Sequence, residues 1–207
     1  MTKSNGEEKS FDDILRQVFK GALEAVAKVF LKMGLTANAI TLIGLLGTIA
    51  AAVLIALDKL FWGGLLLLLM APLDAVDGTM ARLSGKSSLF GAFFDSFIDR
   101  YDELFIYAGL LYWFSLRGNV VGVMLCFAAA SGAVLVSYAR ARAEALGFEA
   151  KIGLMTRVGR SIVMIVGLLF GIIVVALVII AILAHLTAIM RMVTVWKQAK
   201  FRDHEPN

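Results

Sequence analysis

Six carboxylic acids, Asp74, Asp77, Asp95, Asp99, Asp102 and Glu103, sit inside two otherwise apolar stretches, residues 60–83 and 88–116. An Asp in the middle of a membrane-spanning helix costs about 2.5–3.5 kcal/mol on insertion scales, so such residues call for a compensating role. Asp74 and Asp77 are three residues apart, and Asp95 and Asp99 four apart. On helices, each pair therefore shares one face. Two such faces meeting would gather four carboxylates, which repel one another unless a cation lies between them. Oxygen ligands without Cys or His favour Mg²⁺, Mn²⁺ or Ca²⁺ over Zn²⁺. Four carboxylates suffice for two such ions, an arrangement suited to phosphoryl chemistry. Taken alone, the acids also fit intramembrane salt bridges or a divalent-cation transporter. Gly78 and Gly91 stand beside the acids, where the lack of a Cβ lets a ligand approach. Arg82, one turn after Gly78, suits a phosphate clamp.

The elements that must carry these residues follow from composition and length. Of 207 residues, 60% are hydrophobic and only 17% charged, against roughly 45–50% and about 25% for soluble domains. Mean hydropathy is +0.84. These values exclude disorder and point to an all-α, polytopic membrane protein. The single cysteine, Cys126, excludes a disulfide framework. Spans of about 20 residues are predicted at 37–57, 60–83, 88–116 and 120–146. Residues 161–190 carry no charge. Thirty helical residues cover about 45 Å, too much for one crossing. The run is therefore divided near Phe170-Gly171, giving six transmembrane helices.

Six spans put both termini on one side. That side collects every Lys and Arg except Lys59 and Arg117 on the other face and Arg100 within a span. The positive-inside rule makes the basic side cytoplasmic and the protein integral to the cytoplasmic membrane, its acids opening to the cytoplasm. Residues 1–10 are read as a disordered N-terminus. Residues 11–34 are read as an amphipathic helix lying in the interface, since Phe11, Leu15, Val18, Val26 and Phe30 recur at helical spacing opposite a charged face. Residues 35–200 form the membrane domain and 201–207 a C-terminal tail. The lipid bilayer is the implied partner, and no nucleic acid is expected.

The spacing of the acids narrows the chemistry. From Asp74 to Asp99, the stretch DAVDGTMARLSGKSSLFGAFFDSFID places Asp74, Asp77, Gly78, Ala81, Arg82, Gly91, Asp95 and Asp99 at fixed intervals over 26 positions. This pattern resembles the signature of the CDP-alcohol phosphotransferase family. The resemblance implies six spans, an interfacial N-terminal helix, a homodimer and a site for two divalent cations, Mg²⁺ or Mn²⁺. It implies transfer of a phosphoryl-linked group from a CDP-alcohol to an alcohol, with release of CMP. By position, Asp74, Asp77, Asp95 and Asp99 would be metal ligands, with Asp99 also the catalytic base. Gly78, Arg82 and Gly91 would line the CDP site. Thr36-Ala37-Asn38-Ala39-Ile40-Thr41 looks like the family's Pro-Asn-x-x-Thr element with Ala37 in place of proline, and offers Asn38 and Thr41 to the nucleotide.

A second basic cluster bears on the acceptor. Ser137, Arg140 and Arg142 end the fourth span, Arg157 and Arg160 begin the fifth, and Arg191 lies in the last. Arginines facing a cytoplasmic cavity bind a dianionic phosphate by forked bonds; anchoring to anionic lipid headgroups is the alternative. The cluster is similar to that of the branch making phosphatidylinositol phosphate. It implies CDP-diacylglycerol as donor and inositol 1-phosphate as acceptor, with Arg142, Arg160 and Arg191 foremost in binding the acceptor phosphate and Ser137, Arg140 and Arg157 in support. Glycerol 3-phosphate as acceptor and an archaeal-type lipid donor are the alternatives within the class. Arg100 is expected to pair with Glu103, one turn along the same helix.

Overall fold

The structure is a computed structural model, and it describes residues 19–85 and 88–202. Residues 1–18, 86–87 and 203–207 lie outside it. The expectations for a disordered 1–10, for the first part of the 11–34 helix and for most of the 201–207 tail therefore fall outside the described residues.

Among the described residues all regular structure is helical: α1 Lys20–Lys32, α2 Ala37–Ala56, α3 Leu60–Leu83, α4 Leu89–Leu116, α5 Val120–Ala145, α6 Arg157–Leu169 and α7 Ile173–Arg202. Four of these, α2, α3, α5 and α7, are long and apolar enough to cross a membrane. Many large apolar side chains face outward, among them Leu46, Leu69 and Phe127. On a water-exposed surface a patch of this kind would be unstable; it suits lipid. α4 has 28 residues, about 42 Å, but carries Asp95, Asp99, Arg100, Asp102 and Glu103. α6 has 13 residues, about 20 Å. The uncharged 161–190 run is broken where length required it. α6 ends at Leu169, Gly171 adopts φ +70° and α7 starts at Ile173.

Helix starts are set by side chains that accept the orphan N–H groups of the first turn. Thr36 Oγ1 accepts from Ala39 N, Ser88 Oγ from Gly91 N, Asn119 Oδ1 from Gly122 N and Thr156 Oγ1 from Gly159 N. Ala37 thus occupies the first helical position behind a working cap, where the family pattern has proline. Pro72 sits within α3, two residues before Asp74; its missing N–H removes one helical bond there.

α2 is the central element. It packs against both α3 and α4, which barely touch each other, while α6 packs on α3 and α5 on α7. Closeness to α4 depends on Gly109, where a Cβ would stand 2.5 Å from the Ala52 carbonyl oxygen. Small residues permit such approach, and in lipid close packing is the main source of helix association. The main core joins Ile55, Leu110, Phe114, Leu168 and Leu177; a second cluster joins Ala27 of α1 to Ile40, Val76 and Met80. α1 thus buries one stripe on α3 and leaves Val26, Val29 and Met33 exposed. At the end remote from α1, Asp58 receives Arg117 Nη2 at 2.6 Å and Trp113 Nε1 at 2.8 Å. That pairing joins the α2–α3 turn to the α4–α5 turn.

Candidate active site

The acids of α3 and α4 meet. Carboxylate oxygens of Asp74, Asp99 and Asp102 lie within 4.8 Å of one another. Of the four expected ligands, Asp74 and Asp99 belong to this group and Asp102 joins them, while Asp77 and Asp95 lie near it without being part of it. Sequence reasoning noticed Asp102 among the intramembrane acids but gave it no place in the site. Its three-residue spacing from Asp99 was the available signal, since that puts both on one face of α4.

The Arg157 guanidinium stands among these acids. Its Nη1 is 2.6 Å from Asp74 Oδ2 and 2.7 Å from Asp99 Oδ1, and its Nη2 is 3.7 Å from Asp102 Oδ2. The Asp99 contact is ionic without hydrogen-bond alignment, and Asp99 Oδ1, Asp102 Oδ1 and Arg157 Nε are buried without a hydrogen-bond partner. The buried carboxylate oxygens of Asp99 and Asp102 that lack a hydrogen-bond donor are the ligands a hard divalent cation takes. The donor set is all oxygen, so it fits Mg²⁺ or Mn²⁺. A cavity of about 50 Å³ lies beside Asp74, Asp102 and Arg157, and Thr48 and Ser161 also face it.

Thr41, expected at the nucleotide, is turned to Asp77. Its hydroxyl donates to Asp77 Oδ2 at 2.6 Å, with the Ala37 carbonyl farther, at 3.1 Å. Asp77 is 4% exposed, so this bond orients a buried carboxylate. A Cβ on Gly78 would meet only Arg82 Nη1, at 3.7 Å, whereas one on Gly91 would stand 3.1 Å from Ser88 Oγ and 3.6 Å from Asn38 Oδ1. Asn38, Gly91, Gly78 and Arg82 thus border the same end of α2, α3 and α4. Arg82 Nη2 donates to Thr79 Oγ1 at 3.0 Å.

The acceptor arginines divide. Arg140 pairs with Glu144 on the surface, and Arg142 is exposed. Ser137, half-buried, lies one turn before them on α5. Arg160 is 2% exposed and makes a two-pronged bond to Glu103, Nε to Oε1 at 2.8 Å and Nη2 to Oε2 at 2.9 Å, leaving Nη1 without a partner. Arg191 donates Nε to the Ile152 carbonyl and Nη1 to the Val136 carbonyl. Two arginines expected to lead in phosphate binding thus direct most of these donors to the protein, and Arg157, expected only in support, is the one among the acids. The expected Arg100–Glu103 pair is not formed. Arg100 turns to Asp99 Oδ2 at 3.4 Å and the Ser96 carbonyl, because the forked bond from Arg160 offers Glu103 a better partner.

A profile of the CDP-alcohol phosphatidyltransferase family matches residues 34–198. The chain belongs to that family. It is 34% identical over 161 residues to a phosphatidylinositol phosphate synthase of Mycobacteroides abscessus, covering 75% of this chain and 72% of that one. It is 36% identical over 178 residues to an archaetidylinositol phosphate synthase of Pyrococcus horikoshii, covering 86% and 92%. The crystal structure of Mycobacterium tuberculosis phosphatidylinositol phosphate synthase with CDP-DAG bound superposes with a TM-score of 0.78 at 29% identity, covering 84% of this chain and 93% of that one. The same enzyme in complex with manganese and citrate gives 0.78 at 28% identity, covering 84% and 88%. The chain is therefore an integral membrane transferase of the CDP-alcohol phosphatidyltransferase family, with a carboxylate site for divalent cations, rather than a cation transporter.

Proposed function

We propose that the protein transfers a phosphatidyl group from CDP-diacylglycerol to inositol 1-phosphate, forming phosphatidylinositol phosphate and CMP. The observation that carries this reading is Arg157 beside Asp74, Asp99 and Asp102, with Arg160 one turn along α6. A guanidinium beside the acids supports an acceptor that brings its own phosphate. The bacterial and archaeal relatives support the acceptor, since the names of both contain inositol phosphate while differing in the lipid.

Two divalent cations would be held by Asp74, Asp77, Asp95 and Asp99 and would offset the charge of the diphosphate and of the departing CMP. Thr41 fixes Asp77 for that task. Asn38, Gly78, Arg82 and Gly91 border the space for the CDP moiety. Asp99 takes the proton from the inositol phosphate hydroxyl as its oxygen bonds to the lipid-linked phosphorus and the bond to CMP breaks. Arg157 and the open Nη1 of Arg160 receive the acceptor phosphate. Ser137, Arg140 and Arg142 form the outer rim, and Arg191 supports the wall behind them.

In this reading six helices, α2 to α7, cross the bilayer. α1 lies in the interface, both termini and the acids are cytoplasmic, the membrane is the cell membrane, and two copies pair as a homodimer. Residues 35–200 are the membrane domain. The basic residues around 140–160 and 191–202 support the orientation. α6 is shorter than the hydrocarbon core, which suits a span whose Arg157 end begins below the surface, at the depth of the carboxylates.

The deciding experiment is CMP release by purified protein in CDP-diacylglycerol micelles with inositol 1-phosphate, inositol or glycerol 3-phosphate as acceptor. Release with inositol 1-phosphate alone is expected; release with glycerol 3-phosphate instead would overturn the acceptor. The archaeal relative supports a second donor reading, and a dialkyl CDP-lipid in the same assay decides between the two.

A further inference from the structure

The connector between α5 and α6 has no regular structure, yet its backbone is bonded along its length by side chains of α7. Thr187, Arg191, Gln198 and Arg202 are spaced by four, seven and four residues, which makes one stripe on that helix. Thr187 Oγ1 accepts from Leu154 N and Met155 N, both at 3.1 Å, and donates to the Leu183 carbonyl at 2.7 Å. A hydroxyl has one donor and two acceptor positions, so all are used. Gln198 grips both backbone groups of Glu149, accepting its N–H at 3.0 Å and donating to its carbonyl at 2.6 Å. Arg191 holds the Ile152 carbonyl, and Arg202 bonds the Gly147 carbonyl while lying over the Phe148 ring. The connector runs so close to α7 at Gly153 that a Cβ there would stand 2.2 Å from Thr187 Cγ2.

This strap ends at the site. Met155, held by Thr187, is followed by Thr156, which caps α6. Arg157 comes next, with its guanidinium among Asp74, Asp99 and Asp102. Where Arg157 and Arg160 stand relative to the acids is thus fixed from α7, an element that contributes no carboxylate.

We propose that Thr187 and Gln198 are positioning residues for the transfer, setting through the connector the place at which Arg157 and Arg160 meet the acceptor phosphate. The inference rests on the acceptor reading above. A displacement of about 1 Å in a positioned group can cost on the order of 100-fold, and Thr187 acts two residues from Arg157. Gln198 acts on Glu149, farther along, so its influence is smaller.

The test uses the full-length protein and Thr187→Val, Thr187→Ser and Gln198→Leu. KM for inositol 1-phosphate and for CDP-diacylglycerol, kcat and Tm are measured for each. Thr187→Val should raise the acceptor KM about 10- to 100-fold, and Gln198→Leu by a smaller factor in the same direction, with the CDP-diacylglycerol KM near wild type. Thr187→Ser, which keeps the hydroxyl, should restore most of the loss. A purely structural role lowers Tm and the active fraction, which reduces kcat without separating the two KM values. Wild-type acceptor KM in both Thr187→Val and Gln198→Leu, or an equal rise in both KM values, overturns the proposal. If Thr187→Val does not fold, Gln198→Leu decides alone. Failure of the wild type to use inositol 1-phosphate would instead refute the acceptor reading, and the same split is then measured with whichever acceptor supports CMP release.

Discussion

Thr41→Val keeps the side chain's shape and removes the hydroxyl that donates to Asp77 Oδ2 at 2.6 Å. Asp77 is 4% exposed, so water does not readily replace the lost donor. A hydrogen bond to a charged group contributes about 1.5–3 kcal/mol, equivalent to roughly 10- to 150-fold in an equilibrium constant. Loss of a group that orients a metal ligand typically weakens metal binding 10- to 100-fold. Both routes give the same expectation: Thr41→Val needs about 10- to 100-fold more Mn²⁺ for half-maximal CMP release. Direct Mn²⁺ binding, read by electron paramagnetic resonance without substrate, should shift in parallel. Thr41→Ser should recover most of the loss, and the CDP-diacylglycerol KM at saturating metal should stay near wild type. An unchanged metal titration with a raised CDP-diacylglycerol KM would refute the argument. The hydroxyl would then serve the nucleotide, as the sequence pattern suggested.

Asp95→Asn should abolish CMP release and Mn²⁺ binding together, because an amide is a poorer ligand for a hard cation; near-normal turnover would contradict the ligand assignment. Gly109→Ala places a Cβ 2.5 Å from the Ala52 carbonyl oxygen and should lower stability by about 1–3 kcal/mol, the usual cost of overpacking, read as a fall in Tm. In a Cys126→Ala background, a cysteine at position 59 should react with an impermeant thiol reagent in intact cells and one at position 200 should not. Labelling at 200 would reject the six-span orientation.

The carboxylate site was legible because its residues obey helical spacing on adjacent elements. Asp74 with Asp77 and Asp95 with Asp99 share faces whatever the tertiary fold, and an acid in an apolar helix stands out against its surroundings. The break at Phe170-Gly171 was legible from length alone, since thirty uncharged residues exceed the thickness of one hydrocarbon core. What escaped the sequence depends on contacts across elements. Arg160 reaches Glu103 over 57 positions, and that bond displaced the local Arg100–Glu103 pairing that i,i+3 spacing suggested. Asp102 shares a face of α4 with Asp99, but its approach to Asp74 on α3 depends on how the two helices pack. Arg191, which the family resemblance assigns to the acceptor phosphate, bonds backbone carbonyls, and partners of that kind carry no sequence signal. The connector that it holds has no periodicity to betray its path.

α3 and α4 carry all the predicted metal ligands, yet they barely touch each other and lean on α2 instead. Cations bound between them therefore fasten two elements whose backbones stand apart. Any ligand that binds only the folded state stabilises it by mass action, about 1.4 kcal/mol for each tenfold excess over its Kd. The thermal endurance of this protein thus becomes a function of the cation supply. Chelation would not merely stop the reaction but loosen the seam along which the reaction occurs, and the enzyme would report on its divalent-cation supply through its lifetime as well as its rate.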